Sequence, residues 1–219
     1  MLDARNDDVA VVLMAAGASS RYGRDKCLEY LDGSVTVLDH SYDVAREVSE
    51  NVVIAASGAT LEYCESRGYP CVQGGSTRSE SVLNALNALD DASIILVHDS
   101  SRPLASAELY RRVIAKIRSG EDVVVPVLPV VDSMKVKTVD GFVTVDRSDK
   151  FIVQTPQGLS LLARNRLLDA HLESTDESGA AELLGIRVST VEGERGNIKI
   201  TYPDDIDIVR ALLSVLRRE

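Results

Sequence analysis

The sequence predicts an α/β fold: a mostly parallel twisted sheet with helices on both faces, plus a protruding β-hairpin arm. Three observations point there. Short Val- and Ile-rich runs alternate with longer segments of helical apolar spacing through the first half of the chain. An Asp140-Gly141 dipeptide, flanked by segments that alternate polar and apolar residues, then breaks this alternation. The 219 residues are 45% hydrophobic, enough for one buried core, and the longest apolar runs, such as Val9–Ala16 and Val123–Val131, are strand-sized.

Taken in order, strands are expected at Val9–Met14, Asn51–Ser57, Ile94–His98 and Asp122–Val127. Helices are expected between them, at Val37–Val48, Ala59–Arg67, Arg78–Leu89 and Ala105–Arg118. In the third helix Val82, Leu83, Leu86 and Leu89 recur at helical spacing and form one apolar stripe. Such strand–helix alternation implies right-handed crossovers and a parallel, Rossmann-like sheet covered on both faces. Ligands of such sheets sit at the carboxyl ends of the strands, here after Met14, after Cys71–Val72 and after His98. Met134–Val139 and Phe142–Asp146 then make a hairpin, within an arm at about 132–154. A lone two-stranded ribbon is barely stable in water, so the arm should pack on something, a second subunit being one candidate. A helix at Ser160–His171, another at Asp176–Leu184, a strand at Ile186–Glu192 and a further segment at Asn197–Ile200 follow. Pro203, Asp204 and Asp205 open a last helix, because Pro suits a first turn and acids favour its dipole. With no repeat or linker, one domain over residues 1–219 is expected.

The net charge of −10 argues against bulk nucleic-acid binding, since an acidic surface repels phosphate backbones. A small anion would instead need cations gathered in one pocket. The acidic start MLDARNDDVAVV does not read as a secretory signal, and no membrane partner is expected. Cys27, Cys64 and Cys71 are an odd count without metal-ligand spacing; reduced thiols in a cytoplasm account for them.

The segment Ala15-Ala16-Gly17-Ala18-Ser19-Ser20-Arg21-Tyr22-Gly23-Arg24-Asp25-Lys26 follows the first strand. Small residues let backbone N–H groups approach an anion, and Arg21 and Lys26 add fixed positive charge. Nucleotidyl transfer needs that combination, because charge builds on the α-phosphorus and on the departing pyrophosphate. The loop is not a P-loop: Gly17 and Gly23 are one residue too far apart, and Arg24 follows. Nor does Gly17-Ala18-Ser19 fit a dinucleotide fingerprint. Composition alone does not separate a phosphate cradle from an ordinary loop with a surface Arg and Lys. Asp99 ends an apolar strand, a poor place for a core acid and a good one for a metal or a hydroxyl. His98 reads as a packed strand residue. By composition Arg147 and Lys199 are also edge residues of a hairpin and a strand.

The AAGxxxR core of the loop resembles the signature of the nucleotidyltransferase family that activates sugars and polyols. GGSTRSESV (Gly74–Val82), VHDSSRP (Val97–Pro103), PVVDSMK (Pro129–Lys135), VDR (Val145–Arg147), QTPQ (Gln154–Gln157), TDE (Thr175–Glu177) and VEGERGNIKIT (Val191–Thr201) occur in one order. That ordered series resembles the 2-C-methyl-D-erythritol 4-phosphate cytidylyltransferase family in particular. It implies transfer of the cytidylyl group of CTP to a polyol phosphate, with loss of pyrophosphate, in isoprenoid precursor synthesis.

The resemblance also implies roles. Arg21 and Lys26 stabilise the α-phosphate, and Arg147 and Lys199 hold the acceptor phosphate for in-line attack. Ala15, Ala16, Gly17, Ala18, Ser19 and Ser76 lie along base and phosphates, while Gly75 and Ser81 read the cytosine edge. Arg78 either joins that binding or is a solvated first-turn residue. Asp99 contacts the polyol and lies close to Mg²⁺, which is held mainly by CTP oxygens. Arg102 suits the acceptor phosphate, and Ser133, Thr155 and Thr175 supply further contacts. The arm is exchanged between the subunits of a homodimer. This chain departs from the pattern at Asp25, which stands where Pro is usual and could pair with Lys26, and at Ser76, Ser100-Ser101, Ser133 and Gly179. A ribitol-5-phosphate cytidylyltransferase and a non-catalytic CTP-binding regulatory protein are the competing readings.

Overall fold

The computed structural model describes residues 8–89, 92–170 and 172–216. Residues 1–7 of the acidic start read above and the expected helix end at His171 lie outside them. Strand β1 (Val9–Ala15) is followed by a loop, a 3₁₀ turn at Lys26–Leu28 and a small hairpin of β2 (Tyr30–Asp32) and β3 (Val35–Thr36). Then come α1 (Val37–Val48), β4 (Asn51–Ala56), α2 (Gly58–Arg67), β5 (Cys71–Gln73), α3 (Arg78–Asn87), β6 (Ile94–Asp99), α4 (Ala107–Arg118) and β7 (Val123–Pro129). The arm contributes β8 (Met134–Thr138) and β9 (Gly141–Val145); β10 (Phe151–Val153) and β11 (Gln157–Ser160) return to the sheet. Helices α5 (Leu161–Ala170) and α6 (Glu177–Leu183), strand β12 (Val188–Glu192) and helix α7 (Asp205–Leu216) follow. Among the described residues, no helix is long and apolar enough to cross a membrane.

Caps set where the helices begin. Thr36 and Asp39 form a capping box on α1, as Thr77 and Glu80 do on α3, and Ser106 and Asp176 cap α4 and α6. Helix α2 ends at Gly68, whose φ of 68° a residue with a side chain adopts at a cost.

The eight-stranded sheet runs β10-β7-β11-β6-β1-β4-β5, with β12 also on β7. Val123 and Val124 pair with both β11 and β12, so these two strands flank β7 on opposite edges. β11 is antiparallel to β6 and to β7, so β6 and β7 point the same way. Six strands are therefore parallel, and β1 lies between β4 and β6. Alternate residues of β1 enter different cores: Val9, Val11 and Leu13 join Leu38, Leu109 and Val113 on one face. Ala10 and Val12 join Val82, Leu86 and Leu167 on the other. Helices thus cover both faces, and each fully buried Val or Leu contributes about 1.5–3 kcal/mol.

The structure departs from the sequence reading at four places. β11 was not anticipated because polar residues and Gly158 hide it; a Cβ on Gly158 would lie 2.5 Å from Val113, so close packing of α4 demands glycine. Phe151–Val153 pairs with Val127–Pro129, so the end of the expected arm belongs to the main sheet. The strand expected from Ile186 begins at Val188, where pairing with β7 starts. Asn197–Ile200 forms no ladder and is held by side chains and loop contacts instead. The Asp140-Gly141 turn is as expected, with Gly141 at a φ of 125°.

Candidate active site

A cavity of about 350 Å³ opens beyond the carboxyl ends of β1 and β6. One wall is the loop after β1, from Ala15 to Ala18. It is fastened from outside: a Cβ on Gly74 would lie 2.3 Å from that of Ala16, and the Ser57 hydroxyl donates to the Ala16 carbonyl at 3.1 Å. The opposite wall is the start of α3, with Gly75, Ser76, Thr77, Arg78 and Ser81. There the Gly75 N–H donates to the Ser81 hydroxyl oxygen at 3.0 Å, and that hydroxyl donates to the Thr77 carbonyl at 2.9 Å. Ser81 holds the wall in shape and retains one lone pair.

Three cations reach this cavity in an acidic chain: Lys26, Arg78 and Lys199. Burial lowers the pKa of Lys26, and the charges of Lys199 and Arg21 add to that effect against Asp99. Asp25 does not pair with it, contrary to the possibility raised by the sequence; the Asp25 carboxylate accepts from the Cys27 N–H at 3.0 Å and from the Thr60 hydroxyl. Cys27 lines the same wall, but burial pushes its thiol up to about 12, which makes it a packed group rather than a nucleophile. All three cysteines are free thiols.

Asp99 sits among cations. Lys199 Nζ donates to its Oδ2 at 2.6 Å, Arg78 Nη2 is 3.7 Å from Oδ1, and Arg102 Nε is 4.0 Å from Oδ2. Burial by itself would raise the Asp99 pKa; Lys199 and Arg78 more than offset it and hold the carboxyl well below the usual carboxylate range. Arg78 in turn meets Glu177 through two bonds, at 2.7 and 3.0 Å. Desolvation opposes the Arg78 charge, yet Glu177 outweighs it and raises the pKa. No group of three His, Cys, Asp or Glu side chains that could hold a metal occurs among the described residues. A divalent cation here would find one carboxylate, Asp99.

Several contacts place the irregular segment carrying Lys199, three of them from the neighbouring loops and strands. Arg102 Nη1 donates to the Asn197 carbonyl at 2.9 Å, Asn197 Nδ2 to the Thr155 carbonyl at 2.9 Å, and the Ile200 N–H to the Ser101 carbonyl at 2.8 Å. Arg102 and Thr155, read as substrate contacts, thus serve structural bonds and lie outside the cavity wall. The Thr155 hydroxyl accepts from the Asp99 N–H at 3.1 Å. His98 Nε2 lies 3.2 Å from the Arg102 carbonyl, which only accepts, so Nε2 carries the proton and Nδ1 accepts from Thr155 at 3.0 Å.

His98 is 1% exposed, and burial lowers its pKa to about 4. An unfolded histidine titrates near 6.5. Between those values the unfolded chain binds a proton that the folded chain does not, so stability should fall as pH drops from about 6.5 to about 4. The full loss is roughly 3 kcal/mol. Denaturant unfolding at pH 7 and pH 4.5 measures it, and His98→Gln should flatten this window. An equally steep fall in the variant would place the titration elsewhere.

Of the residues singled out in the sequence, the cavity gathers Ala15, Ala16, Gly17, Ala18, Lys26, Gly75, Ser76, Arg78, Ser81, Asp99 and Lys199. Ser19 and Arg21 stand beside it; Ser19 bends the loop at a φ of 48° and Arg21 is exposed. Thr175 is exposed near the start of α6. Ser133 and Arg147 are out on the arm, where Arg147 donates to the Val131 carbonyl and is exposed. Arg147 is not among the residues that line the cavity. Sequence reasoning missed Thr60 and gave no role to Glu177, the last residue of the TDE segment. An acid next to the α6 cap was a possible signal for Glu177, but only the fold brings Arg78, at the start of α3, to it as a partner.

A family model described as 2-C-methyl-D-erythritol 4-phosphate cytidylyltransferase matches residues 9–215. The chain is similar to the 2-C-methyl-D-erythritol 4-phosphate cytidylyltransferase of Rhodococcus opacus (strain B4), at 38% identity over 97% of this chain and 98% of that relative. Among solved structures it is similar to the 2-C-methyl-D-erythritol 4-phosphate cytidylyltransferase of Thermus thermophilus. The TM-score there is 0.78, at 30% identity over 93% of this chain and 98% of the other. The 4-diphosphocytidyl-2C-methyl-D-erythritol synthase of Anaerococcus prevotii DSM 20548 gives a TM-score of 0.79 at 26% identity, over 95% and 96% of the two chains.

Proposed function

The chain belongs to the 2-C-methyl-D-erythritol 4-phosphate cytidylyltransferase family, and from that premise we propose how its own residues carry out the cytidylyl transfer. A phosphate oxygen of methylerythritol phosphate attacks the α-phosphorus of CTP. The bond from that phosphorus to the bridging oxygen of the β-phosphate breaks, and pyrophosphate leaves. The observation that carries this reading is the convergence of Lys26 and Lys199 on one small-residue cavity, with Asp99 between the cations. The acceptor is already an anion, so it needs no strong base, only cations that bring two repelling anions together.

In this reading Lys26 and Arg21 take the charge that develops on the α-phosphate. Backbone N–H groups of Ala16, Gly17 and Ala18 cradle the triphosphate. The Gly75–Ser81 wall fits a pyrimidine by close backbone contact, and an unpaired polar group there costs a wrong base about 1–3 kcal/mol. Lys199 is aimed by Asp99, whose carboxylate also suits a polyol hydroxyl. Mg²⁺ fits the donor set as an ion carried mainly by CTP oxygens, with Asp99 as its one protein carboxylate; when bound it would neutralise phosphate charge.

Arg147 completes the acceptor site from a second subunit. The support is physical: the hairpin face with Val136 and Val143 is exposed at 50% and 56%, and Phe151 and Ile152 at 54% and 53%. Val136 and Val143 are paired in register, and exposed apolar residues of this kind call for a partner. A cytoplasmic setting suits three reduced thiols.

Pyrophosphate release on mixing the protein with CTP, Mg²⁺ and methylerythritol phosphate is the expected result, with ribitol 5-phosphate much the poorer acceptor. Faster release with ribitol 5-phosphate would reassign the acceptor. No release with either would favour a CTP-binding protein without catalysis.

A further inference from the structure

We propose that Asp25 and Thr60 are positioning residues for Lys26: their contact fastens the turn that carries the lysine to the first turn of α2. The inference rests on the assignment of Lys26 to the transition state. Asp25 stands just before the 3₁₀ turn with φ −69° and ψ 104°, and its Oδ1 accepts from the Cys27 N–H at 3.0 Å. Its Oδ2 accepts from the hydroxyl of Thr60, which is 0% exposed. Three residues earlier, the Ser57 hydroxyl holds the Ala16 carbonyl at 3.1 Å. One helix end therefore grips both limbs of the phosphate loop, the limb leaving β1 and the limb carrying Lys26.

Cys27, 5% exposed, is packed beneath that turn and anchors the lysine backbone from the core side. The geometry matters because lysine has a long side chain with much conformational freedom to lose. Fixing its Cα narrows the volume the ammonium samples. The same contacts occupy the Asp25 carboxylate, so the residue next to Lys26 in sequence does not neutralise it. Lys26 has no carboxylate partner within ion-pair distance among the described residues, as an anion-binding group requires.

Steady-state kinetics with CTP, Mg²⁺ and methylerythritol phosphate test this. Asp25→Ala and Thr60→Val should each lower kcat by about 10-fold, since displacement by a fraction of an ångström is costly in a transition state. The KM for CTP and calorimetric CTP affinity should stay near the parent's. The double variant should be no worse than the poorer single one, because both cut the same contact. Thr60→Ser should restore turnover by keeping the hydroxyl. Parental kcat in Asp25→Ala, multiplicative losses in the double variant, or loss of CTP affinity alongside kcat would each overturn the proposal. A Lys26→Ala control separates the two levels: full activity there sinks the reading of the site itself, whereas an inactive control beside an active Asp25→Ala sinks only the clamp.

Discussion

Lys26→Ala should lower kcat by roughly 10²–10³-fold while leaving the KM for CTP little changed. Lys26 lines the cavity together with the loop after β1, Asp99 and Lys199. Burial has already removed much of its water, so its charge acts on a phosphate with little screening. Such a group gains most when the α-phosphate takes on extra negative charge, and less when CTP merely binds. Arg21→Ala should shift kinetics in the same direction but less, because Arg21 is exposed and is not part of the cavity wall. Single-turnover measurement with saturating CTP isolates the chemical step. A rise in KM with kcat intact would move Lys26 from the transition state to ground-state binding.

Mixing two inactive variants should recover activity. Arg147→Ala should weaken use of the acceptor severely while CTP binding persists, since Arg147 is on the arm, away from the wall that meets the nucleotide. Lys26→Ala should be nearly dead for the reason above. If the arm is exchanged, a hybrid dimer has one site carrying both changes and one site carrying neither. Random reassortment would then restore about a quarter of parental turnover, a consequence of two-fold symmetry. Assay after co-refolding or co-expression, with each variant alone as the baseline, reads the effect directly. Turnover that stays at the sum of the two separate variants would end the shared-site reading. Loss of CTP binding in Arg147→Ala would contradict its assignment to the acceptor.

Much of this is legible in the sequence. Helix α1 matches its sequence expectation residue for residue because Thr36 and Asp39 announce its start and its apolar spacing runs without interruption to Val48. The parallel strands β1, β4 and β6 were legible because strands covered on both faces are continuous runs of Val, Ile, Leu and Ala. The hairpin turn was legible because Gly141 adopts a backbone angle that glycine favours. Most of the loop after β1 and the start of α3 also reached the cavity as expected, since strand ends and helix starts fix where such segments sit. β11 was illegible, because its identity as a strand depends on the neighbours it fits between and not on its own composition.

Local patterning by itself determined most of the strands and helices, the end of the sheet at which the cavity opens, and that small residues with Lys26 form one wall. Those properties depend on neighbours in sequence, so they are readable along the chain. Only the tertiary structure decided which charges meet: that Lys199 reaches Asp99 across a hundred residues, that Glu177 and not solvent receives Arg78, that Arg102 holds a loop, and that Asp25 turns to Thr60 and away from Lys26. The reason is that an ion pair or hydrogen bond falls off within a few ångströms, and those ångströms are set by how helices pack on a sheet.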